Sequence, residues 1–112
     1  MNQNLIKKFS SIMGNQGKVL TNEEDLACYS YDAYADKPVL PDIVVKPTNY
    51  EQIEKIINLC NEENIPIVTR GAGTNLSGGT IPKSGGCVLL MTSFNKILEI
   101  NENDLYAVVQ SG

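Results

Sequence analysis

At 112 residues, with 42% hydrophobic and 20% charged, the chain is sized for one domain or part of one and can bury a modest core. Its formal net charge of −4 argues against duplex DNA or an anionic membrane surface as the main partner, since both attract basic proteins. No stretch approaches the ~20 apolar residues of a membrane span, and the first residues lack the apolar core of a secretory leader. Cys28, Cys60 and Cys87 form no C-x-x-C pair and are odd in number. They make a poor disulfide framework and a poor zinc site, and read as reduced thiols of a cytoplasmic protein. The chain has no histidine, so any imidazole chemistry must come from elsewhere.

In chain order, Leu5, Ile6, Phe9, Ile12 and Met13 recur at helical spacing and stop at Gly14, which predicts an amphipathic helix over 3–14. Val19-Leu20 is a short apolar pair. Thr21-x-x-Glu24 has the form of a capping box opening a short helix, and Glu23-Glu24-Asp25 is the acidic bias of a helix N-terminus rather than a catalytic carboxylate pair. The stretch from Tyr29 to Pro41 is an ordered loop. Ile43-Val44-Val45 is a strand, and Thr48-x-x-Glu51 caps a helix with Ile53, Ile56, Ile57 and Cys60 on one face. That helix frays through residues 61–64, and residues 65–69 return as a strand, completing a βαβ unit.

After Arg70 the texture changes to a glycine-rich loop over residues 71–86. Cys87 to Met91 is a continuous apolar run, as in a strand covered on both faces. Residues 97–100 and 105–109 read as a hairpin joined by Asn101-Glu102-Asn103-Asp104. The fold class is α+β: a small parallel sheet (43–45, 67–69, 87–91) flanked by helices, then an antiparallel hairpin.

The segment Arg70-Gly71-Ala72-Gly73-Thr74-Asn75-Leu76-Ser77-Gly78-Gly79-Thr80 follows a strand directly, where open α/β sheets place ligands. Glycines allow positive φ and a close backbone approach, so that several N–H groups can converge on one anion. Arg70 and the hydroxyls of Thr74, Ser77 and Thr80 add donors. Two familiar phosphate loops fail here. The dinucleotide fingerprint needs a third glycine where Leu76 stands, and a helix that Pro82 and Gly85-Gly86 prevent. The nucleotide-triphosphatase loop needs a lysine where Gly79 stands.

A third pattern fits. Residues 67–80, the apolar strand after them, Asn95-Lys96-Ile97-Leu98-Glu99-Ile100 and Val108-Val109-Gln110-Ser111-Gly112 resemble the FAD-binding domain of the vanillyl-alcohol oxidase / p-cresol methylhydroxylase (PCMH) superfamily. The resemblance is greatest to the branch that holds the D-type subunits of glycolate oxidase and the D-lactate dehydrogenases. It implies that residues 1–112 are the N-terminal part of a PCMH-type domain, with the rest of that domain and the substrate domain lying beyond Gly112. It further implies that Arg70, Gly71, Ala72, Gly73, Thr74, Asn75, Leu76, Ser77, Gly78 and Gly79 wrap the pyrophosphate of non-covalently bound FAD, with Pro47 near the adenine. The whole flavoprotein would oxidise a small 2-hydroxy acid such as glycolate or D-lactate, passing hydride to flavin N5. No residue of this segment is then catalytic, and the segment alone is expected to be inactive. Ser111 departs from the family's usual proline.

Other readings stay open at this point. The parent could be a flavoenzyme of the same superfamily with another substrate, or a non-catalytic nucleotide-binding or scaffold module. Arg70 could pair with Glu62 or Glu63. Tyr29, Tyr31 and Tyr34 are expected to pack their loop onto the core rather than line a pocket. Asn75-Leu76-Ser77 is formally a glycosylation acceptor, without meaning in a chain lacking a leader. Leu105 to Val109 is β-rich and uncharged, so this segment by itself is expected to self-associate through an exposed edge.

Overall fold

A computed structural model describes residues 1–112. The chain forms α1 (Gln3–Met13), β1 (Lys18–Leu20), α2 (Glu23–Ala27), β2 (Ile43–Lys46), α3 (Tyr50–Glu62), β3 (Ile67–Arg70), β4 (Cys87–Leu90), β5 (Ile97–Asn101) and β6 (Tyr106–Val109). The first four strands make one sheet in the order β1-β2-β4-β3, and β5 and β6 make a second, two-stranded sheet. No helix is long and apolar enough to cross a membrane.

The parallel part of the sheet has the composition the sequence predicts but a different wiring. The strands of the βαβ unit, β2 and β3, do not touch, because β4 is inserted between them and pairs parallel with both. Val88 lies beside Val44 on one side and Val68 on the other. β1, which in the sequence is only an apolar pair, extends the sheet antiparallel to β2, with Val19 opposite Val45.

Alternation along the buried strands divides the core in two. Ile43, Val45, Cys87 and Leu89 face a layer formed by Phe9 and Met13 of α1 and by Ile56, Leu59 and Cys60 of α3, closed by Met91 and Phe94. Val44, Val88 and Leu90 face the other way, against Leu26, with Leu20 and Tyr29 at the margin. Both faces of β4 are therefore covered, which explains its uninterrupted apolar run.

The capping expectations need correction by one residue. In α3 the N-cap is Asn49, whose Oδ1 accepts from Gln52 N at 2.9 Å. Gln52 Oε1 in turn accepts from Thr48 N at 2.8 Å, while Glu51 pairs on the surface with Lys55. In α2 the N-cap is Asn22, with no side-chain cap, so the Thr21–Glu24 box does not form. The acidic first turn of α2 is present as expected. The buried face of α3 also shifts. It comprises Gln52, Ile56, Leu59 and Cys60, and Ile57 is 46% exposed. Gln52 takes a core position because its Nε2 donates to the carbonyl of Met13, at the end of α1. A buried amide bonded at both ends costs little and ties the two helices.

The hairpin stands apart from this core. Every residue of β6, and all of β5 but Asn101, is exposed. Its root is held by Gln110, which exchanges hydrogen bonds with Lys96 and donates to the Tyr50 hydroxyl, and by the tilted stack of Tyr50 on Phe94. The Cα radius of gyration is 15.2 Å, with extents of 52 × 34 × 23 Å, against roughly 13 Å for a compact chain of this length.

The shifted helix face sets a test. Ile56→Ala empties a fully buried site and should cost about 2–5 kcal/mol. Ile57→Ala, one residue on, should stay near the ~0.5 kcal/mol typical of surface changes. Urea unfolding of the two variants gives both values, and equal losses would mean that the helix face is misplaced.

Candidate functional site

Strands β2, β3 and β4 run parallel, so Lys46, Arg70 and Leu90 end at the same edge of the sheet. A cleft of 530 Å³ opens there. Its walls are those three residues with Thr92, the loop from Gly71 to Thr74, and the segment from Cys28 to Ala33 with Tyr29 and Tyr31 foremost. Open α/β sheets bind ligands at this edge, outside the carboxyl ends of the strands.

None of the N–H groups from Gly71 through Gly79 donates to an acceptor within the chain. The first to do so is that of Thr80, which reaches Asp32 at 3.4 Å. Gly73 adopts φ +74°, and a Cβ there would overlap the Arg70 guanidinium, so only glycine fits. A run of free donors bent by positive-φ glycines is the geometry of an anion cradle, and it suits a pyrophosphate.

Arg70 is 6% exposed. Its Nη1 donates to the Tyr31 carbonyl at 2.5 Å, and its guanidinium lies over the Tyr29 ring at 5.6 Å. The alternative pairing with Glu62 or Glu63 does not occur, since Glu63 is held by Lys8. Arg70 thus brings a buried positive charge to the cleft with no carboxylate in contact.

The tyrosine segment does not pack as expected. Tyr29 sits at the margin of the core, but Tyr31 and Tyr34 are 54% and 48% exposed. Tyr31 lines the cleft, and the Tyr34 ring lies against Gly78. The segment works as a strap over the glycine loop. It is pinned by Arg70 at Tyr31, by Asp32 to Asn75 and Thr80, and by the Asp36–Lys83 ion pair at 2.9 Å. The Asp42 carboxylate holds the far end of the loop through the N–H of Gly86 at 2.7 Å.

Of the residues singled out in the sequence, Arg70, Gly71, Ala72, Gly73 and Thr74 line the cleft together. Asn75, Leu76, Ser77, Gly78 and Gly79 carry the loop onward outside it. Leu76 is 76% exposed, and Pro47 is fully buried beside Lys46, which does line the cleft. Sequence reasoning misses Asp32, Lys46, Cys28 and Thr92. Only Asp32 leaves a trace, as an acidic residue within an aromatic loop. Its Oδ1 accepts from Tyr34 N at 2.9 Å, the local bond that Asp makes in turns.

The three cysteines are free thiols. Cys60 and Cys87 lie together in the larger core cluster. The neighbouring Cys60 thiol, with burial, pushes the Cys87 thiol far up, whereas Cys87 lowers that of Cys60.

A family model described as the FAD binding domain matches residues 41–112. Over 84 residues the chain is 51% identical to glycolate oxidase subunit GlcD of Bacillus subtilis (strain 168), covering 75% of this chain and 18% of that protein. It is 32% identical over 109 residues to a D-lactate dehydrogenase of Anaerostipes hadrus, covering 96% of this chain and 22% of that one. Among solved structures, p-cresol methylhydroxylase with substrate bound superposes with a TM-score of 0.81 at 29% identity, over 95% of this chain and 21% of that one. The α+β, PCMH-type fold expected from the resemblance is the fold observed. The chain spans about a fifth of the length of the relatives it matches.

The electrostatics of Asp32 can be tested directly. Burial raises its carboxyl, but hydrogen bonds from the Tyr34 amide, Asn75, and the amide and hydroxyl of Thr80 together outweigh it and hold the group below its ordinary value of 3.8. A group with a depressed folded pKa stabilises the fold above its unfolded pKa, and that support is lost as pH falls through the folded one. A carboxyl NMR titration should therefore place the Asp32 midpoint below 3.8. A midpoint above that value would mean that burial dominates.

Proposed function

This chain belongs to the FAD binding domain family, and on that premise we propose that its glycine loop holds the pyrophosphate of FAD in a flavoprotein that oxidises a 2-hydroxy acid such as glycolate or D-lactate. The observation that carries the reading is the unpaired backbone from Gly71 through Gly79, whose first four residues line the cleft at the carboxyl edge of the sheet. The loop residues Gly71 to Gly79 supply N–H donors, and Arg70 supplies a buried positive charge at the root of the loop. Pro47 shapes the adenine side from the end of β2. Names of two relatives, a glycolate oxidase subunit and a D-lactate dehydrogenase, support the substrate class.

Bound FAD supplies the redox chemistry, and the protein binds and orients it. No residue of this chain is assigned a catalytic role. Residues 1–112 contain no histidine, and the Cys87 thiol is buried and held protonated by its neighbour and its surroundings, which supports non-covalent binding. The free thiols support a cytoplasmic setting.

The hairpin carries a second part of the reading. Ile97, Leu98, Ile100, Leu105, Val108 and Val109 are all exposed, and β6 is paired on one edge only. Uncharged strand edges of this kind recruit another chain. Residues 1–112 in isolation should associate edge to edge, and Val108→Lys should shift them toward monomer. Light scattering at high protein concentration decides; a clean monomer without the substitution would refute the association.

The cradle itself is tested at Gly73. In the complete flavoprotein, Gly73→Val should lower flavin content by tenfold or more, on the order of 1.4 kcal/mol upward, because a β-branched side chain both resists positive φ and fills the space beside Arg70. Ser77→Ala removes at most one hydrogen bond of ~1 kcal/mol and should cost less. Equal flavin content in the two purified variants would count against the cradle.

A further inference from the structure

Asp32 presents a physical puzzle. It is 8% exposed, it borders the cleft, and it is negatively charged where the ligand is negatively charged as well. A carboxylate beside a pyrophosphate repels it, and more strongly in a half-buried cleft than in water. A side chain with no other task would be better as asparagine.

Its partners give it a task. Oδ2 accepts from Asn75 Nδ2 at 2.6 Å and from Thr80 through both Oγ1, at 3.2 Å, and N, at 3.4 Å. Oδ1 accepts from Tyr34 N. Thr80 Oγ1 also lies 3.1 Å from Asn75 Oδ1, so the three side chains form one closed cluster. Asn75 stands within the run of unpaired N–H groups and Thr80 stands just past its end. The carboxylate therefore grips the loop at two points, using side chains and the first N–H beyond the run. It leaves the donors from Gly71 through Gly79 free. Bonds to an ionised acceptor are about twice as strong as neutral ones, and only a carboxylate accepts from all of these donors without offering an N–H of its own.

We propose that Asp32 is a positioning residue for the FAD pyrophosphate: it fixes the loop through Asn75 and Thr80 in the conformation that leaves its backbone donors unpaired and sets Gly71 to Thr74 along the cleft. Asp32 does not touch the cofactor, and acts through the loop. The proposal rests on the reading that this loop holds the pyrophosphate.

The two roles open to a carboxylate here have opposite signs. As a nearby charge, its removal tightens FAD binding; as the anchor of the loop, its removal weakens it. The experiment is titration of the complete apoprotein with FAD, followed by quenching of flavin fluorescence, for Asp32→Asn, for Asn75→Ala/Thr80→Val, and for the three changes combined. Asp32→Asn should raise Kd about tenfold, the loss of one strong charge-assisted bond. The loop pair should do so to a similar extent. Adding Asp32→Asn to the loop pair should change Kd by less than about twofold, since residues acting through one contact are not additive. Unchanged or tighter binding in Asp32→Asn overturns the proposal, and so does an equal loss in both backgrounds, which would place its action outside the loop. If Asp32→Asn does not fold, Thr80→Val and Asn75→Ala alone carry the test. Each should weaken FAD and lower the backbone NMR order parameters of residues 71–79, and unchanged Kd in both overturns the proposal. Gly73→Val separates the underlying reading. If it leaves Kd unchanged, the loop does not hold the pyrophosphate and Asp32 loses its role with it. If it weakens FAD while Asp32→Asn does not, only the Asp32 proposal fails.

Discussion

Backbone N–H groups spent inside a chain cannot also grip a ligand, and this constraint shapes everything around the glycine loop. A helix or strand in that place would be rigid but would pair its donors internally. A loop with free donors and no other support would be mobile, and binding would have to overcome its ordering entropy. Here support and recognition are divided between different atoms. The N–H groups from Gly71 through Gly79 are free, while holding is done by side chains and by the chain ends: Arg70 to the Tyr31 carbonyl, Asn75 and Thr80 to Asp32, Lys83 to Asp36, Asp42 to Gly86. The partners on the other side of most of these contacts belong to the strap over residues 29–36, which has no regular structure of its own and packs on the sheet through Tyr29, at the margin of the face opposite α1 and α3.

The sheet makes the same division possible from below. β4 is buried on both faces and hydrogen-bonded on both edges. It is thus the least free element of the chain, and Arg70 is paired with its last residue, Leu90. Met91 N donates to the Arg70 carbonyl at 2.8 Å, so the root of the loop is fastened to the central strand up to the residue where the free donors begin. Because β2, β4 and β3 all run parallel, their ends lie around one cleft.

Much of this is legible in the sequence. The strands over 43–45 and 87–91, the helix of residues 50–62, the hairpin and the cradle announce themselves by unbroken apolar runs, helical spacing and glycines, all of them local signals. What is not legible depends on residues far apart. β1 is three residues long and is a strand because it pairs with β2, with no periodicity of its own. The order β2-β4-β3 is a choice among pairings that the strand sequences do not distinguish. The cap of α3 moves by one residue because asparagine is at least as good an N-cap as threonine, and Asn49 stands next to Thr48; at α2 the start also moves by one, to Asn22, but without a side-chain cap bond. Ile57 reads as core because counting apolar residues cannot see that Gln52, satisfied at both ends, fills the place instead. Asp32 escapes notice for the same reason: its partners lie 43 and 48 residues away.

Charge makes the point from another side. The chain carries a formal net charge of −4, so under the proposed reading the global field cannot be what attracts an anionic ligand. On that reading attraction is local and geometric, supplied by the unpaired N–H groups, the buried Arg70 and the nearby Lys46, over distances shorter than the roughly 8 Å on which salt screens exposed charges. Under that condition an acidic residue at the site is tolerable provided its charge is consumed by donors of its own. The Asp32 carboxylate meets the condition: each oxygen is engaged, its hydrogen bonds hold it in the ionised form, and none of its partners is an N–H of the unpaired run from Gly71 through Gly79. The negative charge is therefore spent on the loop's own side chains, and the N–H groups of that run stay free.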